Sequence, residues 1–253
     1  MDQARVHIHL AAELWLFVAP RHRREHVEVP HDGTSSLGHV IESLGVPLPE
    51  IGDLLVSGRA VPPSYRPASG DEVTVRAPRR PQELPVTPPA FLLDVHLGTL
   101  ARRLRLLGLD TAYSNDRDDE ELVVQANAER RVLLTQDRGL LCRRKLWLGA
   151  YVRGARPDDQ LHDFLQRFAP PLAPWTRCTS CNGRLSMAGK EDVEHLLRPG
   201  TRRSYDVYGQ CDTCGHVYWR GAHSRRLEDI VERATRTVAA YRYIAEYRKD
   251  RTS

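Results

Sequence analysis

The chain has 253 residues, 41% hydrophobic and 28% charged, a balance that fits globular domains and excludes a disordered or collagen-like polymer. Its formal charge of +4 is unevenly placed: residues 1–84 carry −2, residues 85–174 carry +1 and residues 175–253 carry +5, so a polyanionic partner is expected at the C-terminal end. No apolar run approaches the length of a membrane span and MDQARVHIHL has no signal-peptide pattern, so a soluble, cytoplasmic protein with no membrane partner is expected.

In chain order, RVHIHLA and EHVEVP alternate apolar and polar residues as half-buried strands do. TSSLGHVIESLG opens on capping residues, sets Leu37, Val40, Ile41 and Leu44 on one helical face and stops at Gly45. IGDLLVSG and DEVTVRAP are further strands. This β-β-α-β-β order, with the phrase LLVSGRAVPPSYRPASGDEVTVRAP, resembles the sulfur-carrier-like branch of the ubiquitin-like β-grasp domains. Carriers of that kind act through a free C-terminal Gly-Gly, whereas here the corresponding strand runs on into Arg79, Arg80 and Pro81. A binding or scaffolding module, with a protein partner, is therefore expected in place of a carrier.

Two proline-rich stretches, APRRPQELPVTPPA (77–90) and APPLAPW (169–175), break the pattern, because proline removes backbone donors and fixes φ. They divide the chain into expected domains at 1–80, 90–170 and 175–253. In the middle domain FLLDVH, TAYSN, RVLLTQD and LGAYVRG read as strands, separated by LGTLARRLRLLG and DDEELVVQANAERR and followed by PDDQLHDFLQRFA as helices. Strands alternating with helices predict a parallel α/β sheet, which binds ligands beyond the carboxyl ends of its strands.

Acids gather at those predicted ends. Asp94 and Asp137 each follow a buried apolar run; Asp116, Asp118, Asp119, Glu120 and Glu121 follow the second strand, and Asp158 and Asp159 the fourth. Crowded carboxylates repel one another unless a cation neutralises them, and hard oxygen ligands suit Mg²⁺ or Mn²⁺. The competing reading is that acids in a first helical turn merely cap it. FLLDVHLGTLARRLRLLGLDTAYSND, followed by ERRVLLTQDRGLL and two cysteine knuckles, resembles the Mut7-C RNases, which have a PIN-like nuclease core; some members carry a ubiquitin-like domain in front. The resemblance implies metal-assisted hydrolysis of RNA phosphodiesters, with Asp94 and Asp137 as core metal ligands. It implies a third acid at the start of the second helix, Asp119 or else Glu120, and a fourth for which Asp158 is a spatial guess. Arg102, Arg103, Arg105 and Arg138 lie near this edge in sequence, either as RNA phosphate contacts or as solvated helix faces.

CTSC (178–181) and CDTC (211–214) are paired C-x-x-C knuckles, the spacing of a tetrahedral four-thiolate zinc site, with Asn182-Gly183 and Gly215 following each turn. Cys178, Cys181, Cys211 and Cys214 leave no open position on a metal, so the zinc is expected to be structural; Cys142 is expected to be a buried small residue. In YWRGAH, Trp219 and His223 are candidate RNA contacts, while Tyr218 either stacks on bases or covers the ribbon core. SRRLEDIVERATRTVAAYRYIAEYRK closes the sequence as an amphipathic helix with a basic exterior. The leading expectation is a metal-dependent RNase that prefers single strands and uses its zinc ribbon to assist RNA binding. A non-catalytic RNA-binding module and a scaffold built on the ubiquitin-like domain are the other two readings.

Overall fold

Alternation in RVHIHL makes strand β1 (Arg5–Leu10), which buries Val6, Ile8 and Leu10 and sets His7 and His9 on the other face. The structure is a computed structural model that describes residues 5–197, 199–219 and 224–250. Its chain divides into two compact units: Met1–Arg79 with Leu134–Tyr151, and Arg80–Leu133 with Val152–Ser253.

In the first unit β1 is joined by β2 (His26–Pro30), helix α1 (Leu37–Ser43), β3 (Leu54–Val56), β4 (Arg59–Ala60) and β5 (Glu72–Val75). The sheet runs β2-β1-β5-β3-β4, with β1 antiparallel to β2 and parallel to β5. Ser36 caps α1 by accepting the His39 N–H, and Leu37, Val40 and Ile41 pack into the core beneath the sheet. This is the expected β-grasp domain. The two-residue β4 is an addition to the expected order, folded back on β3 through a turn at Ser57-Gly58.

Next along the chain come β6 (Ala90–Leu93), α2 (Gly98–Leu106), β7 (Asp110–Tyr113), α3 (Asp119–Ala128), β8 (Val132–Thr135), α4 (Arg138–Leu141), β9 (Gly149–Tyr151) and α5 (Pro157–Phe168). The sheet order is β7-β6-β8-β9, and β6 and β7 pair in parallel from Ala90 opposite Asp110 to Leu93 opposite Tyr113. This is the parallel α/β core that the strand–helix alternation predicts. The residues of β8, α4 and β9 from Leu134 on belong to the first unit. There Glu50, only 1% exposed, accepts the Tyr151 N–H at 2.8 Å, and Phe17 meets the Tyr151 ring edge-on at 5.1 Å. No periodicity in the sequence announces these contacts, because each joins residues about a hundred positions apart or more.

In the second unit Phe91 of β6 packs on Phe164 and Phe168 of α5, with ring centroids 4.9 and 5.6 Å away. Arg80 and Gln82 of the first proline-rich stretch, and the second stretch, are fastened within this unit. Arg80 pairs with Asp163 at 2.7 Å, and Gln82 accepts from Arg167 at 2.8 Å. Backbone N–H groups of Ala173 and Trp175 donate to the carbonyls of Leu107 and Leu106, where Gly108 ends α2 at φ 82°. The C-terminal part holds β10 (Leu185–Ala188), α6 (Lys190–Val193), α7 (Pro199–Ser204), β11 (Tyr208–Cys211), β12 (Val217–Trp219) and α8 (Ser224–Asp250). Strands β10, β11 and β12 form a small antiparallel sheet, and α8 buries Ile230, Ala234 and Val238. Among the described residues, no helix is long and apolar enough to cross a membrane.

Candidate metal centre

The apolar core under the small sheet is slight, with Val193, Leu197 and Tyr208 as its buried residues, so something other than hydrophobic burial must hold this part together. Two matching turns supply it. The Asn182 N–H donates to the Cys178 carbonyl at 3.0 Å and the Gly215 N–H to the Cys211 carbonyl at 2.9 Å, folding each C-x-x-C into a knuckle. Backbone N–H groups of Cys181, Gly183 and Thr213 point at the sulfurs of Cys178, Cys181 and Cys211, each at 3.4 Å.

The four Sγ atoms lie within 4.8 Å of one another, with Cys178 to Cys214 at 3.7 Å and Cys181 to Cys211 at 3.4 Å. Those gaps are far too long for a disulfide of about 2.05 Å. They match the roughly 3.8 Å separation of ligands placed tetrahedrally at about 2.3 Å from zinc. Burial opposes ionisation of Cys178, but hydrogen bonds from the Tyr218 hydroxyl and from backbone N–H groups bring the thiol down to about 6. Burial instead pushes Cys181 up to about 12, and the crowded sulfurs add to it. Four thiols so close ionise together only around a cation, so the quartet is consistent with a zinc site. The Tyr218 hydroxyl, 3.0 Å from the Cys178 sulfur, belongs to this centre.

The knuckle is anchored to the parallel sheet by polar contacts that the sequence reading did not pick out. Asp110, at the start of β7, accepts from Arg131 at 2.6 Å, Asn182 at 2.9 Å and Arg177 at 3.2 Å. Burial works against its charge, but the Arg131 and Asn182 hydrogen bonds prevail and its pKa is lowered. Asn182 also accepts the Thr111 N–H at 3.0 Å, and Arg105 donates to the carbonyls of Thr111 and Ser180 at 2.8 and 2.6 Å. Arg105, one of the arginines read as either a phosphate contact or a solvated face, is 4% exposed with its donors on backbone carbonyls, a structural tie between β7 and the knuckle. The knuckle thus joins β7 at its amino end, whereas Asp94 follows the carboxyl end of the adjacent β6.

Asp94 is 7% exposed, and its Oδ1 accepts the Val95 N–H at 2.6 Å at the start of the turn before α2. Asp137 is exposed; its Oδ1 caps α4 by accepting the Gly139 and Leu140 N–H groups, and its own N–H donates to Thr135 Oγ1 at 2.8 Å. Asp118 caps α3 in a reciprocal box with Glu121, placing Asp119 in its first turn beside the exposed Glu120. Asp158 lies 2.5 Å from Arg103, an ion pair in which two expected site residues neutralise each other. Arg138 donates to the carbonyls of Leu16 and Phe17 at 2.7 and 3.0 Å and sits over the Phe17 ring, which ties its guanidinium to the β-grasp domain. Arg102 is exposed on α2, Trp219 is 43% exposed at the end of β12, and His223 lies outside the described residues. Among the described residues the cysteines are the one group of three or more His, Cys, Asp or Glu side chains whose ligand atoms converge; the expected carboxylates form no such group.

Two family models match this chain. The Mut7-C RNAse domain matches residues 89–231, and the Mut7-C ubiquitin domain matches residues 3–83. Among solved structures, SAMP1 from Haloferax volcanii is 20% identical over 30% of this chain and 96% of its own, with a TM-score of 0.25. A second structure, of small archaeal modifier protein 1 from H. volcanii, is 22% identical over 30% of this chain and 99% of its own, also with a TM-score of 0.25. No protein of curated function matches the chain. Matched over more than half its length by the RNAse domain, the chain belongs to the Mut7-C RNAse domain family.

Proposed function

We propose that this protein is a metal-dependent ribonuclease that hydrolyses phosphodiester bonds of single-stranded RNA. The observation that carries the reading is membership of an RNase domain family, with Asp94 and Asp137 both inside the matched segment. Each follows a strand of the parallel sheet, where such sheets bind ligands. Each also has one carboxylate oxygen fixed by a capping hydrogen bond, which holds the side chain in a single orientation. Asp94 and Asp137 are assigned as hard oxygen ligands for Mg²⁺ or Mn²⁺, with Asp119 or Glu120 as a third. Held by these carboxylates, a divalent ion would supply charge stabilisation at the phosphate and a more acidic water. Asp158 is the weakest member of the set, because its carboxylate already serves Arg103.

The cysteine centre is assigned a structural Zn²⁺, and the β-grasp domain a protein-binding role. Catalysis is assigned to residues 90–170, between the β-grasp part (1–80) and the ribbon with its final helix (175–253). The test is cleavage of labelled single-stranded RNA with Mg²⁺ or Mn²⁺, with and without chelator, by wild type, Asp94→Asn and Asp137→Asn. Loss of cleavage by at least a hundredfold in both variants is expected. Equal cleavage by all three proteins removes the catalytic assignment.

A further inference from the structure

Helix α8 carries more exposed aromatic surface than a solvated helix needs. Its buried stripe, Ile230, Ala234 and Val238, recurs every four residues. On another side lies a second stripe: Arg236, Ala240, Tyr243 and Tyr247 fall at i, i+4, i+7 and i+11, with Arg233 one turn before its start. Tyr243 is 70% exposed and Tyr247 54% exposed. From Arg236 to Tyr247 the stripe extends about 16 Å at about 1.5 Å per residue.

At the start of this stripe, α5 and α8 enclose a groove of about 350 Å³. Its floor is apolar, with Leu161, Leu165 and Ile230, and its rim is polar, with His162, Arg233 and Arg236. Asp158 also borders it, paired with Arg103. Glu232 reaches Arg236 at 3.7 Å with both side chains about 70% exposed, a pair too solvated to cancel the arginine. An apolar floor with cationic groups at its mouth suits a base inside and a phosphate at the rim. Arginines followed by exposed tyrosines along one line suit a single strand, whose bases stack and whose backbone is held by charge.

We propose that the α5–α8 groove and the Arg236–Tyr247 stripe are a docking track for single-stranded RNA, one nucleotide entering the groove and its neighbours stacking on Tyr243 and Tyr247. The inference rests on the reading that the chain acts on RNA, and deepens it by naming where the strand lies. The α5 side of the groove and Ile230 lie inside the segment matched by the RNAse domain, whereas Arg233 and the Arg236–Tyr247 stripe fall beyond its end.

Direct binding of a fluorescent 12-nucleotide RNA to the zinc-loaded full chain tests it, with cleavage followed separately on the same preparations. Arg233→Glu/Arg236→Glu is expected to weaken binding at least tenfold and to make the log–log salt dependence shallower by about 1.4, from about 0.7 for each lost single-strand phosphate contact. Tyr243→Ala/Tyr247→Ala is expected to weaken binding about tenfold with the salt slope unchanged. Zinc content and helical circular dichroism verify folding, and Arg233→Lys/Arg236→Lys, which keeps the charge, should bind within threefold of wild type. The track is overturned if both the glutamate and alanine variants bind within twofold of wild type, or if wild type binds no RNA. A wild type that binds without cleaving, and whose variants lose binding, removes the catalytic reading and leaves the track standing.

Discussion

Replacing Asp110 by alanine tests the account of how the knuckle is fastened to the sheet. The carboxylate accepts from two guanidinium groups and one amide, and its side chain is 31% exposed. Each charge-assisted bond contributes on the order of 1.5–3 kcal/mol and the neutral one about 1 kcal/mol, which together give about 4–7 kcal/mol. Partial exposure and the recovered hydration of the carboxylate offset more than half of that, so a net loss of about 2 kcal/mol is expected. Arg131 and Arg177, only 14% and 22% exposed, lose a partner they cannot replace without moving.

The same substitution has a pH signature. Because the folded pKa of Asp110 is lowered, its contribution is complete above the ordinary carboxylate value and fades as pH falls through the folded value. Asp110→Ala should therefore be most destabilising near neutrality and converge with wild type below about pH 4. A chain with several domains need not unfold in one step, so a local readout is preferable. Hydrogen exchange of the Thr111 amide, which donates to Asn182, reports the junction directly. An exchange rate raised about thirtyfold at pH 7 corresponds to the expected 2 kcal/mol. A change under twofold at pH 7, or one that is the same at pH 3.5, refutes the reasoning.

Other substitutions probe different parts. Removing the metal with chelator, or Cys211→Ser, should abolish protection in β10–β12 while the β-grasp core keeps its own; zinc analysis should fall from one ion per chain to none. Gly108→Ala forces a left-handed φ on a residue whose Cβ would overlap the Ala173 carbonyl, and should cost at least about 3 kcal/mol in thermal or denaturant unfolding. Gly183→Ala sets a Cβ 2.8 Å from the Cys211 sulfur and 2.5 Å from Thr213 Oγ1, so zinc affinity measured by chelator competition should fall about tenfold or more. Arg105→Met keeps the buried volume but leaves carbonyls of Thr111 and Ser180 without their donor, and should speed zinc release on the order of tenfold.

Much of the fold was legible because its signals are local. Alternation marked β1 and β2, capping residues marked α1 and α3, and paired C-x-x-C spacing marked the metal centre; each depends on residues within a turn or two of one another. The acids at the strand ends were equally legible as positions, because a strand that ends at Asp94 or Asp137 is a local event. Their chemistry was not, since a carboxylate that caps the next turn and one that binds a metal look alike in sequence. Tertiary structure decided which charged groups are free to act. Arg105, Arg103 and Arg138 read equally as phosphate contacts or solvated helix faces; in the fold one donates to buried carbonyls, one is paired with Asp158 and one donates to the carbonyls of Leu16 and Phe17. The role of Asp110 and the contacts of Asn182 beyond its own turn were not legible, because their partners lie 67 or more positions away for the knuckle contacts. The sequence by itself determined the strands, the helices and the four thiols, because backbone propensity and short spacing are properties of neighbours. Only the folded chain decided which polar side chains satisfy one another, because that depends on distant residues meeting where unpaired charge is costly.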